Sequence, residues 1–262
     1  MIPLARATGA ELGDIDGVLF DLDDTLLSHG RLTRAAYGAL WDLHDAGLRL
    51  LAVTGRPSGW GEVIARQWPI DGAVTENGAV FLVREGKGID VVIDGTPEEI
   101  ASRRARLDAL AASVTAAFPH VRFADDVSAR RTDVTWDIGE RDDVDRATVD
   151  AIAAHIVAAG ARTTRSSVHI HATYERDDKA SGTVRCLGKQ FGVDAGAALY
   201  RYAFVGDSGN DAACFGAFSR TFGVANVARY ARSMSVPPRW VAPSPMGEGF
   251  VEVARVILAA RA

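Results

Sequence analysis

The sequence predicts an α/β protein in which a buried core of parallel strands is interrupted by an inserted α+β region. Two observations lead to this fold class. Short, continuously apolar segments alternate with helical segments at both ends of the chain, and a central stretch alternates polar and apolar residues instead. Parallel strands covered on both faces are continuously apolar, whereas strands with one solvated face alternate.

The amino-terminal part of the chain predicts strands and helices in alternation. Apolar segments at residues 17–20, 48–53 and 72–75 predict buried strands. Helices are predicted between them, one capped by Thr33 and one over residues 59–67. A strand, a helix and a strand at this spacing form a βαβ unit, which makes the strands parallel.

The same alternation returns near the carboxyl end of the chain. Residues 179–191 predict a helix that Gly192 ends. Residues 202–206 predict a buried strand, residues 221–224 and 240–241 predict further strands, and a closing helix is predicted from about Glu248. We therefore expect both ends of the chain to build one sheet.

The central stretch has a different pattern. Thr96, Pro97 and Glu99 predict the start of a helix that runs to about Phe118, and a second helix is predicted to end at Gly160. Residues 132–138 and 168–174 alternate polar and apolar side chains, which predicts an antiparallel sheet with one solvated face. We predict a core of residues 1–82 and 177–262 and an inserted α+β domain of residues 83–176.

The composition excludes several classes of protein. The 34 acidic and 29 basic residues are scattered and give a net charge of −5, so we expect no nucleic-acid partner. Two cysteines, Cys186 and Cys214, are too few for a disulfide framework and favour a cytoplasmic location, where both are expected to be small apolar residues. The sequence has no long apolar segment, so we expect no membrane partner. A monomer is the default expectation, and a homodimer stays open.

Polar residues that could carry chemistry follow three of the predicted strands. Asp21 and Asp23 follow the first strand on the same side of the chain, where their mutual repulsion favours a bound cation or proton. Thr54 and Gly55 follow the second strand, and Asp207 and Asp211 follow the strand at 202–206. Their hydroxyl, backbone and carboxylate groups suit a phosphate and a hard cation such as Mg²⁺. Lys179 could supply a fixed positive charge for a phosphoryl group. Each motif alone also fits an ordinary turn or helix cap.

Together these motifs carry a resemblance. Asp21-Leu-Asp23-Asp-Thr25, Val53-Thr54-Gly-Arg-Pro, Lys179 and Gly206-Asp207-Ser-Gly-Asn-Asp211 occur in the order of the four motifs of haloacid-dehalogenase-superfamily phosphatases. The insertion between the second and third motifs, with Glu76-Asn77-Gly78-Ala79, resembles subfamily IIB, or the Cof-type group. The resemblance implies a Rossmann-like core with an inserted cap domain that selects the substrate.

The resemblance also implies an activity and a role for each matching residue. It implies a Mg²⁺-dependent phosphomonoester hydrolase that acts on a small phosphorylated metabolite, with sugar phosphates favoured, through an aspartyl-phosphate. Asp21 would be the nucleophile and Asp23 the general acid and base. The groups implied to hold phosphate are Thr54, Gly55, Lys179 and Asn210. The implied metal ligands are Asp21, the backbone carbonyl of Asp23, Asp207 and Asp211.

The sequence departs from the family pattern at two motifs. Asp24 stands where glycine is commoner, and Lys179 is followed by Ala-Ser-Gly where glycine more often follows directly. Asp178, beside that lysine, could pair with it or cap the helix. These departures leave the order of the motifs unchanged.

Contacts with substrate in the insertion are predicted only from alternation. The candidates are Arg130, Arg131, Trp136, His169 and His171. For the two histidines a polar sheet face is favoured over a transition-metal site, because the sequence offers no third ligand. Trp60, Trp68 and Trp136 could stack on a sugar ring, but a buried structural role is favoured for each.

Three other functions compete with the phosphatase. A phosphomutase would need a second phosphate site, for which Arg130 and Arg131 are the only hint. A phosphoryl-accepting receiver module is disfavoured, because there the lysine comes last, whereas Lys179 precedes Asp207 here. A non-catalytic phospho-ligand-binding relative is disfavoured because the catalytic side chains that the resemblance implies are present.

Overall fold

The computed structural model describes residues 1–166, 168–232 and 234–261. The strands are β1 Ile2–Pro3, β2 Gly17–Phe20, β3 Arg49–Val53, β4 Gly72–Thr75, β5 Val80–Glu85, β6 Gly88–Ile93, β7 Asp133–Asp137, β8 Arg162–Arg165, β9 His169–Thr173, β10 Tyr202–Gly206, β11 Arg220–Gly223 and β12 Trp240–Val241. The helices are α1 Gly9–Leu12, α2 Arg34–Asp45, α3 Ser58–Gln67, α4 Pro97–Ala117, α5 Arg146–Ala158, α6 Lys179–Phe191, α7 Ala195–Arg201, α8 Ala212–Ala217 and α9 Met246–Ala259.

Strands from both ends of the chain form one large sheet. Its order is β1-β12-β11-β10-β2-β3-β4-β5-β6, and the strands from β1 to β4 in this order are parallel. The predicted α/β class is therefore confirmed. Because β10, β2, β3 and β4 are neighbours, the loops that follow them meet at one edge of the sheet.

Helices cover both faces of this sheet, which explains why its strands are continuously apolar. Val18 and Phe20 of β2 pack in one cluster with residues of α2 and α9, whereas Leu19 packs in the opposite cluster with residues of α6, α7 and α8. Cys186 and Cys214 are free, buried members of this second cluster, as expected. In the described ranges of the chain, no helix is long and apolar enough to cross a bilayer.

The large sheet extends further than the sequence predicts. The predicted insertion begins at residue 83, but this residue lies within β5, and the hairpin of β5 and β6 adds two antiparallel strands to β4. The first four residues of Val80–Glu85 are apolar and buried. They need to be apolar because β5 lies beside β4, between the two helical layers. The boundary at 83 therefore cuts a strand of the large sheet, and the division of the chain into domains stays a prediction.

The central stretch forms its own antiparallel sheet, with the order β7-β9-β8. Val134, Trp136 and Ile170 on one face pack with apolar residues of α4 and α5. The opposite face is polar and faces the large sheet's carboxyl edge, where β7 and β9 contribute lining residues to a shared cavity. The strand β8 was not predicted, because Arg162-Thr-Thr-Arg165 has no apolar residue to reveal an alternation.

Candidate active site

Three acids meet at the carboxyl edge of the sheet. Asp21 follows β2 directly, and Asp207 and Asp211 lie in the loop after β10, the neighbouring strand. All three are buried, and one carboxylate oxygen of each lies within 4.8 Å of the others. The strand pairing thus brings together residues that are about 190 positions apart in the sequence.

Lys179, the first residue of α6, is the buried cation of this cluster. Its Nζ donates to Asp21 Oδ1 at 2.6 Å and to Asp211 Oδ1 at 2.8 Å. Of the two roles open to Asp178, the structure shows the helix cap: Asp178 precedes α6 and accepts a hydrogen bond from the Ser181 amide. The three carboxylates and one ammonium leave the cluster with excess negative charge.

Burial and the neighbouring charges together perturb the pKa values of the cluster. Burial raises the pKa of Asp21 well above its usual range, and the nearby acids add to the effect although Lys179 opposes it. Burial and the charge of Asp211 raise the pKa of Asp207 to about 7. Burial by itself would lower the pKa of Lys179, but the attraction of Asp21 and Asp211 is stronger and raises it.

The donor set suits a hard divalent cation. Oxygen ligands in a buried, net negative cluster are those that Mg²⁺ takes in proteins. Such a cation would offset the burial of charge and the repulsion that together raise the two pKa values. Asp211 is less available than the other two acids, because its Oδ2 also accepts the amide N–H groups of Asp207 and Ser208 at 3.0 and 3.2 Å. We therefore infer that Asp211 mainly fixes the loop and the lysine.

Asp23 lies at the open side of the cluster. Its side chain is 42% exposed, and both of its oxygens accept hydrogen bonds from Arg56, at 2.8 and 2.9 Å. The next residue, Asp24, has φ 56° and ψ 13°, a left-handed conformation that explains why glycine is commoner there and that aspartate tolerates. The turn thereby directs Asp23 into the same cavity as Asp21.

The structure also brings the residues expected to hold phosphate to this cavity. Thr54, Gly55 and Asn210 line it together with Asp21 and Asp23. Thr54 is almost completely buried at the end of β3, and its Oγ1 accepts the amide N–H of Arg56 at 3.1 Å. Lys179 lines the adjoining part of the same cleft, which shares Asn210 with the main cavity.

The sequence did not indicate Asn226, which joins two loops of the site. Its Nδ2 donates to Asp207 Oδ2 at 2.7 Å and to the carbonyl of Asp24 at 3.0 Å, and its Oδ1 accepts the amide of Met246. Asn226 follows the strand predicted at 221–224, so its place after a strand end was the available signal. We infer that it orients the carboxylate of Asp207.

Glu76 connects the large sheet to the inserted region. It follows β4 with φ 51°, and its buried carboxylate accepts the amides of Ser58, Arg131 and Thr132 at 2.7–3.1 Å and the Thr132 hydroxyl at 2.6 Å. The segment Glu76-Asn77-Gly78-Ala79 was notable in the sequence only for its family resemblance. Its first residue holds the insertion over the sheet edge.

The inserted sheet closes the other side of the cavity, which has a volume of about 520 Å³. His169 and His171 lie on its polar face, as the alternation predicts. His169 Nε2 lies 2.8 Å from Glu140 Oε2, and His171 Nδ1 lies 2.9 Å from Asp133 Oδ2. Burial lowers the pKa of His171 although Asp133 opposes this. The histidines are thus partners of acids on a polar face.

Five other candidate contact residues are held by contacts within the protein. Arg130 is buried and donates to Asp126, to Asp133 and to the Gly55 carbonyl, whereas the exposed Arg131 is held through its amide. Trp136 points away from the cavity into the core of the insertion, and Trp68 packs against the core of the large sheet. Trp60 carries the guanidinium of Arg56 on its ring, 4.5 Å from the centroid.

Part of the sequence matches a known protein family. The family model of haloacid dehalogenase-like hydrolases matches residues 18–99, from the second residue of β2 to the first turn of α4. A search of curated proteins found no significant match to the sequence. The matched segment contains Asp21, Asp23 and Thr54.

Solved structures resemble nearly the whole chain. Protein 0175 of Thermoplasma acidophilum is 17% identical with a TM-score of 0.72, and the sucrose-phosphatase of Synechocystis, solved with sucrose and phosphate, is 17% identical with a TM-score of 0.68. Each match covers 93% of this chain and 98% of the other. The subclass IIB sugar phosphatase BT4131 is 19% identical with a TM-score of 0.64, covering 92% and 98%. At these identities the likeness establishes the fold, a Rossmann-like core with an inserted cap.

Proposed function

We propose that the chain is a haloacid dehalogenase-like hydrolase that acts as a Mg²⁺-dependent phosphatase of small sugar phosphates; its fold and the family match over residues 18–99 support this. The observation that carries this proposal is the convergence of Asp21, Asp23 and Lys179 with two further acids at one end of the cavity between the sheet edge and the insertion. The sugar phosphatases among the structural neighbours favour the substrate class.

Asp21 is the proposed nucleophile. A carboxylate oxygen of Asp21 attacks phosphorus, the bond from phosphorus to the sugar oxygen breaks, and an aspartyl-phosphate forms. Lys179, 2.6 Å from Asp21 Oδ1, balances the negative charge that gathers as the phosphoryl group approaches. The hydroxyl of Thr54 and the backbone amide of Gly55 would hold the phosphoryl oxygens.

Asp23 is the proposed acid and base. It donates a proton to the departing sugar oxygen in the first step and takes a proton from the attacking water in the second, which releases inorganic phosphate and regenerates the carboxylate of Asp21. Because the Asp23 side chain is partly exposed toward the cavity, both the sugar oxygen and the attacking water can reach it. A dehalogenase would not require this proton donor, because a halide leaves without one.

Mg²⁺ would be held by Asp21, the backbone carbonyl of Asp23 and Asp207, with Asp211 behind them. When bound, it supplies positive charge that offsets the charge developing on the transferred phosphoryl group. Asn226 keeps the Asp207 carboxylate oriented toward this position.

Binding of Mg²⁺ is expected to stabilise the fold more at pH 8 than at pH 5. The pKa of Asp207 is about 7 in the folded chain against 3.8 for an unperturbed aspartate. The folded state therefore holds the proton more tightly, and without metal, stability falls as the pH rises from about 4 to about 7. Mg²⁺ binds the ionised form, so its effect grows over the same window.

Thermal unfolding with Mg²⁺ and with EDTA at both pH values measures this effect. Asp207→Asn should raise the melting temperature in EDTA and remove most of the gain from Mg²⁺. An equal gain from Mg²⁺ at both pH values would contradict the assignment of Asp207 as a ligand.

The charges of the cavity favour a substrate with a single phosphate. Among the described residues that line the main cavity, the arginines are Arg56, Arg130 and Arg165, and each is paired with an acid: Asp23, Asp126 with Asp133, and Asp150. A second phosphate would have to displace one of these acids. The remaining lining groups are mainly hydroxyl, amide, imidazole and carboxylate groups, which suit sugar hydroxyls. This disfavours the phosphomutase, whose bisphosphate intermediate needs a second anion site.

The proposal is tested by phosphate release from a panel of phosphorylated metabolites, with Mg²⁺ and with EDTA. We expect Mg²⁺-dependent release that is fastest with neutral sugar monophosphates and that falls by about 100-fold or more in Asp23→Asn. Transfer of phosphate between sugar hydroxyls without net release would favour the mutase. Binding of sugar phosphates without release or transfer would indicate a non-catalytic protein.

A further inference from the structure

Arg56 lies between an acid of the core and an acid of the insertion. Its Nε and Nη2 donate to the two oxygens of Asp23, at 2.8 and 2.9 Å. Its Nη1 lies 3.7 Å from Asp126 Oδ2, and its guanidinium carbon lies 4.5 Å above the ring of Trp60. The guanidinium is thus held on one face and along two edges, with only 18% of the side chain exposed.

The acid on the insertion side is itself fixed in place. Asp126 accepts hydrogen bonds from Nε and Nη2 of Arg130, at 3.1 and 3.2 Å. Arg130 in turn donates to the carbonyl of Gly55, the residue before Arg56, at 3.0 Å. The position of Arg56 therefore depends on the docking of the insertion against the loop that follows β3.

The contact with Asp23 has a geometric consequence. The Asp23 side chain is 42% exposed and lines an open cavity, so without a partner its carboxylate would turn freely. Two parallel hydrogen bonds from a planar guanidinium fix the plane of a carboxylate. They use two of about four lone-pair positions, so the others stay available for a substrate or a water molecule.

We propose that Arg56 is a positioning residue for Asp23, which holds the carboxylate in the orientation that proton transfer to the leaving oxygen requires. Asp126 supports this role from the insertion side. The inference rests on the proposed function, because it gives Asp23 the role of acid and base. Arg56 then acts on the rate of the proton-transfer step and leaves substrate binding nearly unchanged.

The test compares Arg56→Gln and Arg56→Lys with the wild type on a sugar phosphate and on p-nitrophenyl phosphate. For Arg56→Gln we expect kcat on the sugar phosphate to fall by about 10-fold to 100-fold, with KM changed by less than about threefold. The loss should be smaller on p-nitrophenyl phosphate, because nitrophenolate leaves without a proton. Arg56→Lys keeps the charge but not the two parallel hydrogen bonds, so its kcat on the sugar phosphate should lie between those of the wild type and Arg56→Gln.

A double-mutant cycle separates positioning from a general structural role. If Arg56 acts through Asp23, Arg56→Gln should lower kcat by less than about threefold in an Asp23→Asn background. Arg66→Gln is the matched control, since Arg66 lies on α3, the helix that follows Arg56, is half exposed and, among the described residues, has its side chain paired with Glu62 one turn away. It should leave kcat unchanged. Asp126→Asn should give a smaller loss of kcat with the same pattern.

Several results would overturn the proposal. Full multiplication of the two losses in the double mutant, equal losses on both substrates, or a raised KM with unchanged kcat would assign Arg56 to substrate binding or to structure. Should Arg56→Gln fail to fold, as judged by circular dichroism, the same criteria apply to Arg56→Lys. If the wild type releases phosphate from neither substrate, the proposed function fails and this inference fails with it.

Discussion

Asp21→Asn is expected to abolish turnover and to make the protein more stable. The asparagine keeps the shape of the side chain but removes the nucleophilic oxygen, so phosphate release should fall by about 10⁴-fold or more. The same change removes a buried negative charge that destabilises the folded state, because burial and the neighbouring acids raise the pKa of Asp21. Without metal, the melting temperature should therefore rise by about 2–4 °C for each kcal/mol gained.

The two effects are measured by phosphate release and by thermal unfolding in EDTA. Asp16→Asn is the matched control: Asp16 lies just before β2, is 42% exposed and pairs with Arg201 outside the site. It should change neither activity nor stability appreciably. An Asp21→Asn protein that kept more than about a tenth of wild-type turnover would exclude Asp21 as the nucleophile.

Lys179→Met is expected to lose activity and stability together. The lysine is buried and bonded to Asp21 and Asp211, so its removal leaves buried carboxylates without a cation. Breaking a buried ion pair in this way typically costs about 3–5 kcal/mol. The loss of a positive charge beside the phosphoryl group should lower turnover by about 10²-fold to 10³-fold.

Denaturant unfolding and phosphate release measure the two losses. Lys189→Met is the matched control, because Lys189 lies on the same helix, is 54% exposed and pairs with Asp94. Mg²⁺ should recover part of the stability of Lys179→Met, since it offers the acids another cation. Equal stability of Lys179→Met and the wild type in EDTA would show that the lysine does not balance these charges.

The sequence predicted the helices and strands whose signals lie within a single element. The continuous apolar runs of β2, β3 and β10 and the capping box of α4 led to correct elements, because their signals depend on neighbouring residues. The order of the acidic and threonine motifs predicted which strand ends would carry polar groups. These residues do meet at one sheet edge, since neighbouring parallel strands end there.

Features that depend on contacts between distant segments could not be read in this way. Nothing in the sequence near residue 83 shows that β5 and β6 extend the large sheet, because a hairpin of apolar residues fits either region. The polar strand β8 has no alternation of its own and is defined by its pairing with β9.

The sequence by itself determined the fold class and the set of polar residues at the strand ends, because local periodicity and motif order specify both. Only the tertiary structure decided how the charges are partnered. It turned Arg130 from a candidate phosphate ligand into a buried link between Asp126, Asp133 and the carbonyl of Gly55, and Arg56 into the partner of Asp23. The physical reason is that charge pairing depends on distance in space. Folding brings Asp23 to Arg56, and the contacts of Arg130 with the Gly55 carbonyl and of Asp126 with Arg56 form only when the insertion docks on the sheet edge.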